Sequence, residues 1–308
     1  MLRVTLCVLW WLPCAIAPGT AGSGSIAARM RVLNRKGQWR QALNIFGDLQ
    51  CEEMAAVTTA PSAACFAEAM SAHSRLGEGD EALGLFQRMQ QSGVAPNVVT
   101  YTAAIRACAT ASLWPVALSL FDDMREDGVA RDTIACNAAL VACERGAQWE
   151  EALLLLSDMR EEGPPPDAIS FNTAMSAASR AGRWEVALSL LEDMGGQHPA
   201  LRPDIFSYSA AISACDRGGK PQLALDLFRR MQEIGISPNA VTYNSAIRAC
   251  ASPQLWPLAL SLLADMREDG IRPTIITYNA ALSACERGAQ WEEVRLAYAV
   301  SPCHVVVS

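Results

Sequence analysis

Cysteine and histidine are the residues of this chain best suited to metal binding and acid–base chemistry, but their spacing supports neither use. The chain has 308 residues, with 11 cysteines and 3 histidines. A structural zinc site needs convergent ligands at short spacing, such as two cysteines separated by two or three residues, and the sequence contains no such pair. His73, His198 and His304 are too scattered for an acid–base pair, and no phosphate loop, nucleophile elbow or paired-histidine motif occurs. The sequence therefore predicts no catalytic residue, no metal, no cofactor and no enzymatic activity.

The spacing of the aromatic residues indicates an internal repeat. Most stand 35 residues apart, and Cys136 fills one of the aromatic slots: Phe66, Tyr101, Phe171, Tyr208, Tyr243 and Tyr278. Self-similarity at a fixed period is the signature of a repeat architecture. Five cysteines also recur at one position of the unit, which predicts buried structural thiols: Cys108, Cys143, Cys215, Cys250 and Cys285.

Each unit has the pattern of a helix-turn-helix. A first helical stretch is followed by a break near a glycine, and a second stretch ends at a methionine: Met89, Met124, Met159, Met194, Met231 and Met266. Most of these methionines are followed by glycine and then proline, which stop a helix. One hairpin cannot bury its apolar stripe alone, so neighbouring hairpins must stack. The predicted fold is all-α, a right-handed α-solenoid of stacked antiparallel hairpins.

The repeats divide the chain into four parts. Residues 1–22 resemble a targeting segment, 23–62 form a degenerate repeat, 63–274 form six complete repeats and 275–308 form an incomplete terminal repeat. The complete units are 63–97, 98–132, 133–167, 168–204, 205–239 and 240–274. The stretch Cys143 to Glu151 recurs identically at Cys285 to Glu293, displaced by 142 residues, which indicates duplication of a block of four repeats.

The first 22 residues have the order of charge, apolar core and small residues that signal-like leaders share. Arg3 precedes the apolar stretch Val4 to Ala17, and small residues follow around Gly22. The apolar stretch is short for a membrane span. The segment therefore predicts targeting; the alternative is a gene model with a misplaced start.

The formal net charge of -7 and the pI near 5.1 are unusual for a nucleic-acid binder. Most acidic residues fall on the second stretches, however, as in Asp122-Asp123, Glu150-Glu151, Glu192-Asp193 and Glu268-Asp269. We expect these residues to face outward, so the net charge averages over faces that a ligand does not contact equally.

Two segments resemble the pentatricopeptide repeat family: Val241-Thr242-Tyr243-Asn244-Ser245-Ala246-Ile247, and the stretch from Ala259-Leu260 through Met266 to Pro273. The resemblance covers about 250 residues. It implies that the first helices line a groove for single-stranded RNA, where one repeat contacts one base. In this family the residue at position five of a unit and the last residue of the unit contact the Watson–Crick edge of that base.

The resemblance assigns a pair of base-contacting residues to each complete unit. In order, the pairs are Ala67 with Asn97, Thr102 with Asp132, Asn137 with Asp167, Asn172 with Asp204, Ser209 with Asn239, and Asn244 with Thr274; Asn279 is the fifth residue of the incomplete unit. By the family's code, Thr with Asp selects G, Asn with Asp selects U, and Ser with Asn selects A. Asn with Thr implies a pyrimidine, and Ala67 provides no side-chain hydrogen bond. The implied target is 5'-N-G-U-U-A-Y-3'.

Further residues gain a role in RNA binding from the same resemblance. Arginines at position thirteen would contact phosphates, or form solvated ion pairs on an exposed turn: Arg35, Arg75, Arg145, Arg180, Arg217 and Arg287. Apolar residues at position two would flank the bases, or simply begin the helix: Val99, Ile134, Ile169, Phe206, Val241 and Ile276. Tryptophans open the second helices, where packing is favoured over base stacking: Trp39, Trp114, Trp149, Trp184, Trp256 and Trp291.

Two functions follow from the sequence. The resemblance implies an RNA-binding factor of an organelle, plastid or mitochondrion, acting in RNA processing, stability or translation, with no small-molecule substrate. The acidic composition and the solenoid architecture also fit a scaffold that binds protein partners. Binding to a randomised RNA pool distinguishes the two functions.

Overall fold

The computed structural model describes residues 23–55, 61–196, 201–251 and 254–287, and every regular element in these ranges is an α-helix. The helices are α1 (Ser23–Arg35), α2 (Trp39–Ala55), α3 (Ala63–Leu76), α4 (Gly79–Gln91), α5 (Val98–Thr110), α6 (Trp114–Glu126), α7 (Thr133–Gly146), α8 (Trp149–Glu161), α9 (Ala168–Arg180), α10 (Trp184–Gly196), α11 (Ile205–Arg217), α12 (Pro221–Glu233), α13 (Ala240–Ala249), α14 (Trp256–Glu268) and α15 (Ile275–Arg287). The predicted all-α class is confirmed. The segment 1–22, His198, Trp291 and His304 lie outside the described residues.

The helix ends follow from local sequence signals. The Asn97 side chain accepts hydrogen bonds from the backbone N–H groups of Val99 and Thr100 at 3.0 and 3.1 Å, and thereby begins α5. Gly93, with φ of 75°, follows the end of α4 in the left-handed region, where glycine has no steric penalty. The predicted glycine stops are therefore confirmed at this position, and each hairpin turns back on itself.

The hairpins stack into a two-layer solenoid. The odd-numbered helices, here called the first helices, pack side by side along the chain from α1 to α15. The even-numbered helices, here called the second helices, contact the first helix of their own hairpin and that of the next. Within the described ranges, consecutive second helices do not pack closely on each other. Since the layer with the closer spacing is the inner layer of a curved stack, the first helices form the concave face.

The core lies between the two layers. All six methionines that end the second helices are buried. The five periodic cysteines are buried, as predicted, and burial raises the pKa of the Cys143 thiol to about 12, which makes it inert at neutral pH. Trp114 packs against the core and lies directly over Gly146 of the next hairpin, in agreement with the packing interpretation.

In two units, the tyrosine of the periodic aromatic series links the two helices of its hairpin through a hydrogen bond. Tyr101 donates to Asp127 Oδ2 at 2.5 Å, and Tyr243 donates to Asp269 Oδ2 at 2.6 Å. Burial, followed by this bond, raises the pKa of both tyrosines. Cys136 occupies the position that is aromatic in the other units. It lines a cavity of about 540 Å³ between neighbouring hairpins.

No helix in the described ranges is long and apolar enough to cross a membrane.

Candidate nucleic-acid interface

The concave face carries a groove in which several of the predicted site positions meet. A cavity of about 620 Å³ spans α9 and α11, and its lining includes Ile169, Asn172, Arg180, Asp204, Phe206, Ser209, Arg217 and Val241. These residues stand at positions two, five, thirteen and last of their units. Residues three or four apart share one face of a helix, so a first helix presents its second, fifth and later positions together. The structure thus places these site types on one surface.

Two of the predicted base-contacting pairs are in direct contact. Asn137 Nδ2 lies 3.2 Å from Asp167 Oδ1, and Asn172 Nδ2 lies 3.2 Å from Asp204 Oδ1. The partners are 30 and 32 residues apart in the chain, and all four side chains are half-buried. Each pair therefore presents two polar groups side by side, and Asn172 and Asp204 line the groove.

The other pairs are not joined by a hydrogen bond within the described part of the chain. Thr102 donates its hydroxyl proton to the Val98 carbonyl at 2.6 Å, and Ser209 donates to the Ile205 carbonyl at 2.6 Å. Asn244 Oδ1 instead accepts from Thr277, and Ala67 is buried. Asn279 is exposed.

The last residue of most units has a second role that sequence analysis did not assign. Side chains at this position cap the following first helix by accepting hydrogen bonds from its backbone N–H groups: Asn97, Asp132, Asp167, Asp204 and Asn239. The signal was present in four of the five, because Asn or Asp followed three residues later by Ser or Thr can form a reciprocal cap; Asp132 is followed by Ala135 and lacks this signal. Capping occupies Oδ1 of the side chain and leaves its second oxygen or nitrogen available to a ligand.

Apolar residues at position two are exposed on the same face. Their exposed fractions range from 55% at Val241 to 65% at Phe206 and Ile276, with Val99, Ile134 and Ile169 between them. An apolar residue that merely began a helix against the core would be buried. These side chains are therefore accessible to a ligand on this face.

The arginines at position thirteen have unequal surroundings. Arg145 donates to the Thr110 carbonyl at 3.1 Å, and Arg180 pairs with Glu144 of the preceding unit at 3.2 Å. Arg287 similarly donates to the Ala251 carbonyl at 2.8 Å. Glu144 is the sequence neighbour of Arg145, but it pairs with Arg180 because equivalent turns of neighbouring hairpins stack.

Three other position-thirteen arginines, Arg35, Arg75 and Arg217, are exposed and have no hydrogen-bond or ion-pair partner among the residues described. A guanidinium in this setting can bind an anion without first breaking a protein contact. These arginines are therefore the most accessible cationic groups of the predicted set.

Sequence analysis missed two arginines at position nine. Arg106 and Arg248 lie on α5 and α13, in the two complete units that have Thr110 and Ser252 at position thirteen. Their spacing of 142 residues, equal to the block duplication, was the signal that could have found them. Burial, followed by the nearby Arg75, lowers the pKa of Arg106, whereas Arg248 forms an ion pair with Asp216 of the preceding unit. Every complete unit thus has an arginine on its first helix.

The paired acidic residues identified in the sequence lie on second helices or directly at their ends, and most of them are exposed there, as predicted: Asp122-Asp123, Glu150-Glu151, Glu192-Asp193 and Glu268-Asp269. The two layers therefore differ in charge, with arginines on the concave face and carboxylates concentrated on the outer face.

No group of three metal-ligating residues occurs in the part of the chain that the structure describes.

Three sequence profiles of one family match this chain. They are described as PPR repeat family, at residues 61–110 and 203–252, pentatricopeptide repeat domain, at 119–180 and 256–287, and PPR repeat, at 99–129 and 169–197. Together they cover well over half of the chain. The chain belongs to the pentatricopeptide repeat family.

Solved structures of pentatricopeptide repeat proteins have the same fold. PPR10 from maize is 25% identical with a TM-score of 0.64, over 92% of this chain and 43% of that chain. The PPR domain of Arabidopsis thaliana protein-only RNase P 1, solved in complex with tRNA, is 17% identical with a TM-score of 0.50, over 59% of this chain and 95% of that chain. Nuclear proteinaceous RNase P 2 from A. thaliana is 14% identical with a TM-score of 0.51, over 61% of this chain and 42% of that chain. The chain spans less than half the length of the maize protein, and no curated protein sequence matches it.

Proposed function

We propose that this pentatricopeptide repeat protein binds single-stranded RNA sequence-selectively, with one repeat contacting one base and without chemistry of its own. The observation that carries the proposal is the contact of Asn137 with Asp167 and of Asn172 with Asp204 on the concave face. The PPR domain of A. thaliana RNase P 1, which shares this fold, was solved with bound tRNA. Exposed apolar residues and arginines on the same face supply surfaces for bases and phosphates.

The polarity of the Asn137–Asp167 pair supports a preference for uracil. One amide N–H of Asn137 is directed at Asp167, which leaves the second N–H as a donor. Asp167 Oδ1 caps α9, whereas Oδ2, which Asn137 Nδ2 approaches at 3.4 Å, retains a lone pair as an acceptor. One donor beside one acceptor complements O4 and N3–H of uracil.

The polarity of two further pairs supports the other assignments. The Thr102 hydroxyl proton is committed to Val98, so Thr102 and Asp132 offer two acceptors, which complement the N1–H and N2–H donors of guanine. The Ser209 hydroxyl is likewise an acceptor, and the capping Asn239 retains its Nδ2 donor. An acceptor beside a donor complements N6–H and N1 of adenine. The proposed target therefore remains 5'-N-G-U-U-A-Y-3'.

Selection from a randomised RNA pool at a fixed salt concentration tests the proposal. We expect enrichment of G-U-U-A in the bound fraction. Uniform weak binding of all sequences would instead favour a protein-binding scaffold, because phosphate contacts alone do not select sequence.

Changing Asn137 to Thr is expected to move the preference of its unit from uracil to guanine. A threonine at this position can donate its proton to the carbonyl one turn earlier, as Thr102 does, so the pair would offer two acceptors. About 1 to 3 kcal/mol of binding free energy is at stake, by analogy with base-specific DNA sites. The measurement is the affinity for two RNAs that differ only at that base, and an unchanged preference would refute the assignment of the pair.

Changing Arg217 to Gln is expected to weaken binding to all RNA sequences equally. The slope of log K against log salt should become shallower by roughly 0.7, the value for one phosphate contact on a single strand. Arg229 provides the matched control, because it is exposed on α12 in the outer layer and pairs with Asp226. Equal slopes for the two variants would show that position thirteen does not contact phosphate.

We further propose that the protein acts in a plastid or mitochondrion, in RNA processing, stability or translation. This part of the proposal depends on the leader-like residues 1–22. Imaging a C-terminal fluorescent fusion with and without these residues tests it, and an identical distribution of the two fusions would refute it.

A further inference from the structure

Five first helices have a buried hydroxyl at their third residue: Thr100, Ser170, Ser207, Thr242 and Thr277, each 0% exposed. In all five, the hydroxyl oxygen accepts a hydrogen bond, at 2.8 to 3.2 Å, from the backbone N–H of the residue three positions earlier, which immediately precedes the helix. This bond belongs to the helix cap. The five hydroxyls differ in the acceptor to which each donates its single proton.

The destination of the proton depends on position five of the preceding unit. Where that residue is asparagine, the hydroxyl donates to the amide oxygen: Ser170 to Asn137 at 2.7 Å, Ser207 to Asn172 at 2.7 Å, and Thr277 to Asn244 at 2.6 Å. Where it is Ala67 or Ser209, the hydroxyl donates to the carbonyl of the capping residue: Thr100 to Asn97 at 2.9 Å, and Thr242 to Asn239 at 2.8 Å. The hydroxyl therefore connects one repeat to the base-contacting asparagine of the repeat before it.

This contact determines which way the amide faces. With Asn137 Oδ1 accepting from Ser170, the Nδ2 group is directed to the Asp167 carboxylate. The reversed amide would place Oδ1 near the Asp167 carboxylate, and its Nδ2 would face a hydroxyl whose proton must then move elsewhere. Ser170 Oγ is also 2.9 Å from Asp167 Oδ1, but that oxygen already accepts from the Ser170 N–H. In the 240–274 unit Thr274 replaces the carboxylate, so the Thr277 hydroxyl alone opposes the reversed amide.

We propose that, wherever position five of a repeat is asparagine, the third-position hydroxyl of the following repeat is a positioning residue that determines base specificity, because it fixes that asparagine as a hydrogen-bond donor. The proposal depends on the proposed function. A donor beside the Asp167 carboxylate complements uracil, whereas the reversed amide would present two acceptors, which complement guanine. Three residues from two repeats, such as Asn137, Asp167 and Ser170, then specify one base.

Changing Ser170 to Ala in the full chain tests the proposal. The measured quantity is the ratio of affinities for two RNAs with U or G at the base assigned to Asn137. We expect this ratio to fall about fivefold, the effect of one ordinary hydrogen bond, while the U:G ratio at the base assigned to Asn172 is unchanged. Changing Ser170 to Thr should preserve the ratio, since the hydroxyl is retained.

A capping role alone gives a different result. If Ser170 only stabilised α9, the Ala variant would bind both RNAs more weakly by the same factor, and an unchanged U:G ratio would overturn the proposal. If the unaltered protein does not bind RNA or has no base preference, the proposed function itself fails, which is a distinguishable outcome.

In the 98–132 unit, the contact between a position-five asparagine and the hydroxyl of the following repeat can be introduced by substitution. Its fifth residue is Thr102, and the third residue of the next helix is Ala135, which has no hydroxyl. We expect Thr102→Asn combined with Ala135→Ser to have a U:G ratio about fivefold higher than Thr102→Asn alone. Equal ratios in the two variants would overturn the proposal, because the only difference between them is the hydroxyl.

Discussion

Changing Asp167 to Asn is expected to convert the base preference of its repeat from uracil to cytosine. The capping oxygen is retained, but the carboxylate acceptor Oδ2 becomes an amide donor. Together with Asn137, the site would then offer two donors, which complement N3 and O2 of cytosine and oppose N3–H of uracil. The U:C affinity ratio at this base should change by on the order of tenfold or more, measured at one salt concentration with two RNAs that differ at one base.

Two further variants control for indirect effects. Asp204→Asn makes the same chemical change one repeat later and should alter only the next base. Asp193→Asn lies on α10 in the outer layer and should alter neither base. The melting temperature should change little for Asp167→Asn, because Asn97 and Asn239 show that asparagine caps a first helix in this protein. If Asp167→Asn and Asp204→Asn changed the preference at the same base, one-repeat-one-base recognition would be wrong.

Changing Gly79 to Ala is expected to destabilise the solenoid by about 1–3 kcal/mol, the usual effect of overpacking. A Cβ atom at Gly79 would lie 2.3 Å from the Ala111 Cβ and 2.9 Å from the Ala107 carbonyl oxygen. Both neighbours belong to the end of α5 and its cap, so the backbone of one hairpin must move relative to the next. Denaturant unfolding followed by circular dichroism measures the loss.

Gly84 is the matched control on the same helix, α4. A Cβ atom there meets nothing within 4 Å. Gly84→Ala should therefore stabilise the protein by about 0.5–1 kcal/mol, because alanine favours the helix over glycine. Equal destabilisation by both substitutions would show that the effect at Gly79 comes from the helix itself and not from the contact between hairpins.

The requirement for glycine at position 79 could not be predicted from the sequence. Equivalent second helices begin with tryptophan at Trp114 and Trp184, which suggests room for a large side chain. In the structure, these rings lie against Gly146 and Gly218 of the next hairpin, whereas Gly79 lies against Ala111. The sizes of two residues in neighbouring hairpins are thus matched, and this match depends on how the hairpins stack.

The sequence by itself determined the period, the helix-turn-helix unit, the buried methionines and cysteines, and the outward carboxylates. These features depend on local patterns, namely helical periodicity and the glycine and proline stops, which act over one or two turns of helix. The positions of the predicted site residues on one face follow from the same periodicity. The family resemblance added their expected roles in RNA binding.

Only the tertiary structure decided which side chains meet between hairpins. The contact of Asn137 with Asp167, the hydroxyl of Ser170 behind them and the ion pair of Arg180 with Glu144 join residues about one repeat apart. Spacing brings such residues to the same level of the stack, but it does not specify their rotamers or the acceptor of each proton. Those depend on the rotation between hairpins and on competition among neighbouring hydrogen-bonding groups, which are properties of the packed molecule.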